Sequence, residues 1–193
     1  MALARLWAVE QQPRLASLPL VVHAGIDEAR IADLATFGYP KERLVLVDSE
    51  CGLKVANLHV PSLCVAGDCV SPLAVQYLRR RLLPTRQSGG RRIYLSRVSC
   101  DARRLANEEE LLPLLRSHGF EALDMASVNG SELTQSIGEA EAVLSMDDEA
   151  LARLVVAPQG AHIGVIATEG IYNSRAYLVS SQLAHDFVYL AGL

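Results

Sequence analysis

Short apolar runs alternate with stretches of helical periodicity along most of this chain. Residues 19–23 (PLVVH) read as a buried strand, and 27–37 as a helix with Ile31, Leu34 and Ala35 on one face. Gly38 closes that helix at the position after the C-cap, where a left-handed residue is wanted. The runs at 44–47 and 55–60 predict a second and a third strand, the third stopped by Pro61. Ser71 and Pro72 open the next helix as N-cap and first residue, with Leu73, Val75, Leu78 and Leu82 on its apolar face.

Residues 84–90 (PTRQSGG) read as a linker. Beyond it the alternation becomes regular. A strand at 92–96 (RIYLS) is followed by a helix at 107–118 ended by Gly119, a strand at 120–124 and a short helix at 131–137. Then come a strand at 142–145, a short helix near 147–154, a strand at 162–167, a helix at 173–185 and a final strand at 187–190. Strands separated by helices predict an α/β fold, a Rossmann-like parallel sheet with helices on both faces. The linker divides it into a domain at 1–85 and a second at 86–193.

Composition narrows the class. Half of the residues are apolar and 21% are charged, the balance of a globular chain. A net charge of -4 gives no field that would attract nucleic acid. The apolar runs fall short of the roughly 20 residues that cross a bilayer, and Arg5, Glu10 and Arg14 interrupt any secretory apolar core. A cytoplasmic protein without a transmembrane segment is expected. Cys51, Cys64, Cys69 and Cys100 form no CxxC pair and lack a His at metal-ligand spacing, so ordinary reduced thiols are expected.

Ligands of open α/β sheets bind beyond the carboxyl ends of strands. The loop after RIYLS is therefore the first candidate. Ser96 and Arg97 end the strand, and Arg103 and Arg104 stand just ahead of the helix that begins near Asn107 and Glu108. Guanidinium groups pair bidentately with phosphate oxygens, and a helix start adds N–H donors, so this pattern suits a diphosphate. Nine of the eighteen basic residues lie between Arg79 and Arg104, with Asp101 the single acid among them. From Arg79 to Arg92 a solvated helix end and a basic linker account for the charge; for Arg97, Arg103 and Arg104 the anion site is the better account. The acids Glu108, Glu109 and Glu110 suit a first helical turn electrostatically. Asp147 and Asp148 have the chemistry to recruit Mg²⁺, but contiguous acids also simply open helices. His162 stands alone, and no His has a Ser or Cys and an acid around it in the manner of a triad.

The block RRIYLSRVSCDARRLANEEELLPLLRSHGFEALD resembles that of glycosyltransferase family 61, the capsular-polysaccharide type. There a Ser-Arg strand end is followed by Arg-Arg and then by Asn-Glu-x-Glu-Leu. The segments KERLVLVDSECGLKVANLHVPS, SPLAVQYLRRRL, RLVVAPQGAHIGVI and AHDFVYLAG are similar to other parts of the family pattern, which covers nearly the whole chain. The resemblance implies a GT-B architecture, one half complete and one partial. It also implies inverting, metal-independent transfer of a sugar from a nucleotide sugar, such as a UDP-sugar, to a glycan or polysaccharide acceptor, without a further cofactor.

By that resemblance Ser96, Arg97, Arg103 and Arg104 hold the donor phosphates. Asn107, Glu108, Asp147 and Gly160 are further donor-site candidates, and no catalytic residue is assigned. Residues 145–151 (SMDDEAL) stand where the family carries Gly-Pro-His-Gly-Ala-Gly-Leu, and Val165 stands where it has Glu. The chain also looks shortened, since the family's His-Trp motif is expected ahead of residue 3. These departures imply a second reading, a non-catalytic pseudo-glycosyltransferase that serves as a binding module. A third is a plain α/β nucleotide-binding or interaction module. A partial half would expose apolar surface and favour self-association into a homo-oligomer.

Overall fold

The computed structural model describes residues 2–62, 65–66, 69–83, 89–100, 104–168 and 174–192. The chain forms two compact units, Met1–Ala66 and Gly67–Leu193.

The first unit is built on one strand-helix-strand crossover. A 3₁₀ turn at Ala2–Arg5 leads into helix α1 (Leu6–Glu10) and a second 3₁₀ turn at Pro13–Leu15. Strand β1 (Leu20–His23), helix α2 (Glu28–Thr36) and strand β2 (Leu44–Val47) follow, the two strands pairing in parallel from Leu20–Leu44 to His23–Val47. Asp27 caps α2 by accepting a hydrogen bond from the Arg30 N–H at 2.7 Å. Gly38, at φ 86, ends it. Ile31 and Leu34 form the buried face as expected, while Ala35 is exposed and Phe37 and Tyr39 complete the core beyond the helix end.

The third strand expected at 55–60 does not form. Those residues have no sheet partner, and Val55, Leu58 and Val60 are exposed, so nothing rewards the extended backbone with hydrogen bonds. A two-residue strand, β3 (Val65–Ala66), closes this unit.

The second unit opens with the two-residue strand β4 (Cys69–Val70) and helix α3 (Pro72–Leu82). Pro72 occupies the first turn of α3, and Ser71 precedes it without a side-chain capping bond. The helix buries Ala74, Val75, Tyr77 and Leu78, whereas Leu73 faces solvent. Strand β5 (Arg91–Ser96), helix α4 (Glu108–Ser117), strand β6 (Phe120–Asp124), helix α5 (Gly130–Gly138) and strand β7 (Ala140–Met146) then alternate. A 3₁₀ segment at Glu149–Val156 takes the place of the short α-helix expected there. Strand β8 (His162–Thr168), helix α6 (Ser174–Gln182) and strand β9 (Asp186–Gly192) complete the unit.

All five strands of the main sheet run parallel, in the order β6-β5-β7-β8-β9. This is a Rossmann-like α/β sheet. Right-handed crossovers put α4 on one face and α5, the 3₁₀ segment and α6 on the other. The interior strand β5 is covered on both sides, so Ile93, Tyr94, Leu95 and Ser96 are all buried in an unbroken run. The core beneath the crowded face comprises Ile137, Val143, Leu154, Val155, Val156, Ile163 and Val165. On the opposite face of β9, Val188 and Leu190 remain 50% and 45% exposed.

Much of the basic run from Arg79 to Arg92 is structural rather than a solvated helix end. Arg79 Nη1 donates to the carbonyls of Val155 and Ala157 at 2.9 and 2.6 Å, fastening α3 to the end of the 3₁₀ segment. Burial lowers its pKa. At the amino edge of the sheet Arg91 pairs with Glu121 and Glu139, and Arg92 with Glu141. Close by, His185 is buried, with its Nδ1 3.3 Å from the Ser180 hydroxyl. Burial first, and the positive charge of Arg79 second, push its pKa from 6.5 down to about 4.

Two predictions follow from this packing. Ile93→Ala removes wholly buried volume and is expected to cost about 2–5 kcal/mol in urea denaturation. Val188→Ala, on the half-bare face, is expected to cost less than about 1 kcal/mol; equal losses would contradict the assigned core. His185, neutral when folded, contributes stability that is complete above its unfolded pKa and declines as pH falls from about 6.5 toward 4. Its ring resonances in a proton NMR titration are expected to move with a midpoint near 4, and a midpoint of 6 or higher would refute this account.

Candidate functional site

The sheet order reverses at β5. From β5 the chain runs outward to β6, then returns across β5 to β7. The crevice at such a switch point, outside the carboxyl ends of β5 and β7, is where open α/β sheets accept ligands. β5 ends in Ser96 and passes into Arg97, and β7 ends in Met146 and passes into Asp147 and Asp148.

Glu108 organises the β5 side. It is the first residue of α4 and only 2% exposed. Its Oε1 accepts hydrogen bonds from the Ser96 hydroxyl at 2.8 Å and from the Arg97 N–H at 2.7 Å. The Val98 N–H approaches Ser96 Oγ at 3.4 Å, and the Cys100 N–H closes a turn onto the Arg97 carbonyl at 2.9 Å. One buried carboxylate thus clasps the end of a strand to the start of the next helix, where the helix dipole favours negative charge. Tyr94 shares that side of β5, its hydroxyl buried close to Glu108 without hydrogen-bond geometry. Burial, reinforced by the Glu108 charge, holds its phenol far above the ordinary range.

Beside this clasp lies a cavity of about 230 Å³ lined by Val98, Arg104, Asn107, Glu108 and their neighbours up to Glu110. Arg104 stands exposed in its wall. Arg97 lies outside that lining. Its Nη1 makes an ion pair with Asp148 Oδ2, and the two side chains are only 18% and 16% exposed. Asp148 is held in turn: its Oδ1 accepts from the Ala150 N–H at 3.0 Å and caps the 3₁₀ segment. Asp147 also sits at the end of β7, its N–H donating to the Ile166 carbonyl at 3.0 Å. With burial as the larger cause, its charge raises the Tyr189 phenol.

Ser96, Arg97, Arg104, Asn107, Glu108 and Asp147 therefore gather at the carboxyl end of the sheet. Arg103 lies outside the described residues. Gly160 does not join them. With φ 76 it turns the chain into β8 at the opposite, amino edge, in a cavity of about 440 Å³ also lined by Arg92, Glu141 and His162. That cavity is the larger of the two, but it lies at the wrong end of the strands for the switch-point rule, and the ion pair of Arg92 with Glu141 neutralises its wall. Among the described residues no group of three or more His, Cys, Asp or Glu side chains is placed to hold a metal ion.

Two roles escaped the sequence. Glu108 could be placed near the site but not recognised as a buried clasp, although an acid at a helix start directly after Asn was the available signal. Asp148 was hidden among contiguous acids; that it reaches Arg97 depends on β7 lying beside β5, a tertiary fact.

Glu108→Ala would leave the Ser96 hydroxyl and the Arg97 N–H buried without an acceptor and is expected to cost about 2–4 kcal/mol of stability. Glu108→Gln keeps an acceptor oxygen, replacing bonds to a charged group by weaker neutral ones, and is expected to cost about 1 kcal/mol. Equal losses for the two in denaturant titration would remove the clasp assignment.

No helix among the described residues is long and apolar enough to cross a membrane. No curated protein matches this sequence. The model of the family Glycosyltransferase 61 matches residues 2–164, which include the crossover of the first unit and, in the second, strands β5 to β7 with the switch-point crevice, but not α6 or β9. On that match, spanning most of its length, the chain belongs to glycosyltransferase family 61.

Proposed function

We propose that this chain binds the diphosphate of a nucleotide-sugar donor at the turn between β5 and α4, in the service of transfer to a glycan or polysaccharide hydroxyl. The observation that supports the reading is a concavity at the switch point of a parallel sheet with Arg104 in its wall, next to the strand end from which Arg97 emerges. Guanidinium groups there would offset the charge that develops on a departing nucleoside diphosphate, the work a divalent ion does in other transferases. The transfer proposed is therefore metal-independent. Inversion at the anomeric carbon is the expectation that family membership brings. Ser96 serves this site indirectly, by shaping the Arg97 turn. Arg103, two residues beyond Asp101, is a further cation for the same phosphates on sequence grounds.

A second reading, a non-catalytic binding module, is favoured by one specific observation. Asp148 pairs with Arg97 in the segment where the family pattern has glycines and a histidine. A carboxylate in this place repels a donor phosphate rather than approaching it with backbone N–H groups.

Calorimetric titration with UDP and GDP is expected to show binding that the double substitution Arg97→Ala, Arg104→Ala weakens at least about tenfold, or about 1.4 kcal/mol. Binding that survives the double substitution would remove the donor from this turn. Donor hydrolysis or transfer by the chain, assayed with the same nucleotide sugars, separates the two readings: sustained turnover rejects the non-catalytic one.

A further inference from the structure

The Arg97–Asp148 contact carries a consequence for which ligands this crevice accepts. The two residues come from different crossovers, brought together because β5 and β7 are neighbours at the switch point. Both side chains are more than four-fifths buried, so water screens the pair weakly and the attraction is stronger than that of a surface ion pair. Asp148 is also fixed in its orientation, because its other oxygen caps the 3₁₀ segment through the Ala150 N–H. The carboxylate therefore stands ready-made beside the guanidinium that an incoming phosphate would use.

We infer that Asp148 is a specificity-determining residue, an internal counter-ion that competes with anionic ligands for Arg97. The inference rests on the reading of this crevice as a diphosphate site. A phosphate oxygen reaching Arg97 must displace the Asp148 carboxylate or share the guanidinium with it, and a second negative charge at such close range opposes sharing. The clasp by Glu108 makes the competition sharper. It holds the Arg97 backbone in place through the bond to its N–H, so the side chain swings from a fixed root and the ligand must come to it. Negatively charged ligands pay this cost; an uncharged one that meets the same walls does not. Asp148 thus sets how much negative charge the site tolerates, and neutralising it opens the site to diphosphates.

The test is calorimetry with UDP and with uridine on the full chain, on Asp148→Asn, and on Asp148→Asn combined with Arg97→Ala. Asparagine keeps the shape and the capping oxygen while removing the charge; Asp148→Ser, also a good cap, stands in should the first variant fail to fold. Asp148→Asn is expected to bind UDP at least about tenfold more tightly than the unsubstituted chain, a gain of about 1.4 kcal/mol. Uridine affinity is expected to stay the same, and the added Arg97→Ala is expected to abolish the gain. An equal gain for uridine would mean that the substitution merely reshapes the crevice, and it overturns the inference. So does UDP affinity that is unchanged or weaker in Asp148→Asn while still depending on Arg97, an outcome that leaves the diphosphate site standing. UDP binding by neither form at millimolar concentration overturns both.

Discussion

The arrangement of the crevice depends on a single buried carboxylate. Glu108 accepts from both the last side chain of β5 and the first peptide N–H beyond it, and it does so from the opening residue of α4. A strand end and a helix start that would otherwise be joined only through a long loop are thereby locked at one point. Because β5 is an interior strand, with β6 on one side and β7 on the other, this lock also fixes where Arg97 emerges relative to the end of β7. Burying a charge is costly unless it is paired or well bonded. Here two donors to Oε1 and the helix dipole offset part of the cost, while Oε2 is buried without a hydrogen-bond partner among the described residues.

Much of the second unit was legible in the sequence, because buried parallel strands write themselves as uninterrupted apolar runs. RIYLS and HIGVIAT leave little choice of structure, and left-handed glycines at 38 and 119 mark helix ends where the chain must reverse. The run at 55–60 misled for the same reason: apolar residues suggest a strand, but a strand exists only where a neighbour accepts its hydrogen bonds. The helical faces of α2 and α3 were legible at Ile31, Leu34, Val75 and Leu78, all buried, but not at Ala35 and Leu73, which are exposed while Phe37 and Ala74 are buried. Side-chain size along the pattern says less than which face meets the sheet.

The candidate crevice was legible in its place on the sheet and not in its internal pairing. A strand followed by Ser-Arg and a basic turn before a helix announces a carboxyl-end crevice, and there Ser96, Arg97 and Arg104 are found. The charge count was less informative. Arg79, Arg91 and Arg92, which inflate the basic run, are consumed by carbonyls and carboxylates away from the crevice. Gly160 was drawn into the site by a motif, whereas in space it belongs to the far end of the same strand. Proximity along a motif and proximity across a sheet are different measurements, and the second needs strand order.

The all-parallel connectivity also bears on how the second unit acquires its structure. No two neighbouring strands of the main sheet are joined by a hairpin; each pairing bridges a complete crossover. A long loop must therefore close before any backbone ladder can begin to form, and such topologies order slowly compared with helical bundles of similar size. β5, β7 and β8 must each recruit partners on both flanks, whereas β9 lies at the edge and leaves Val188 and Leu190 half exposed.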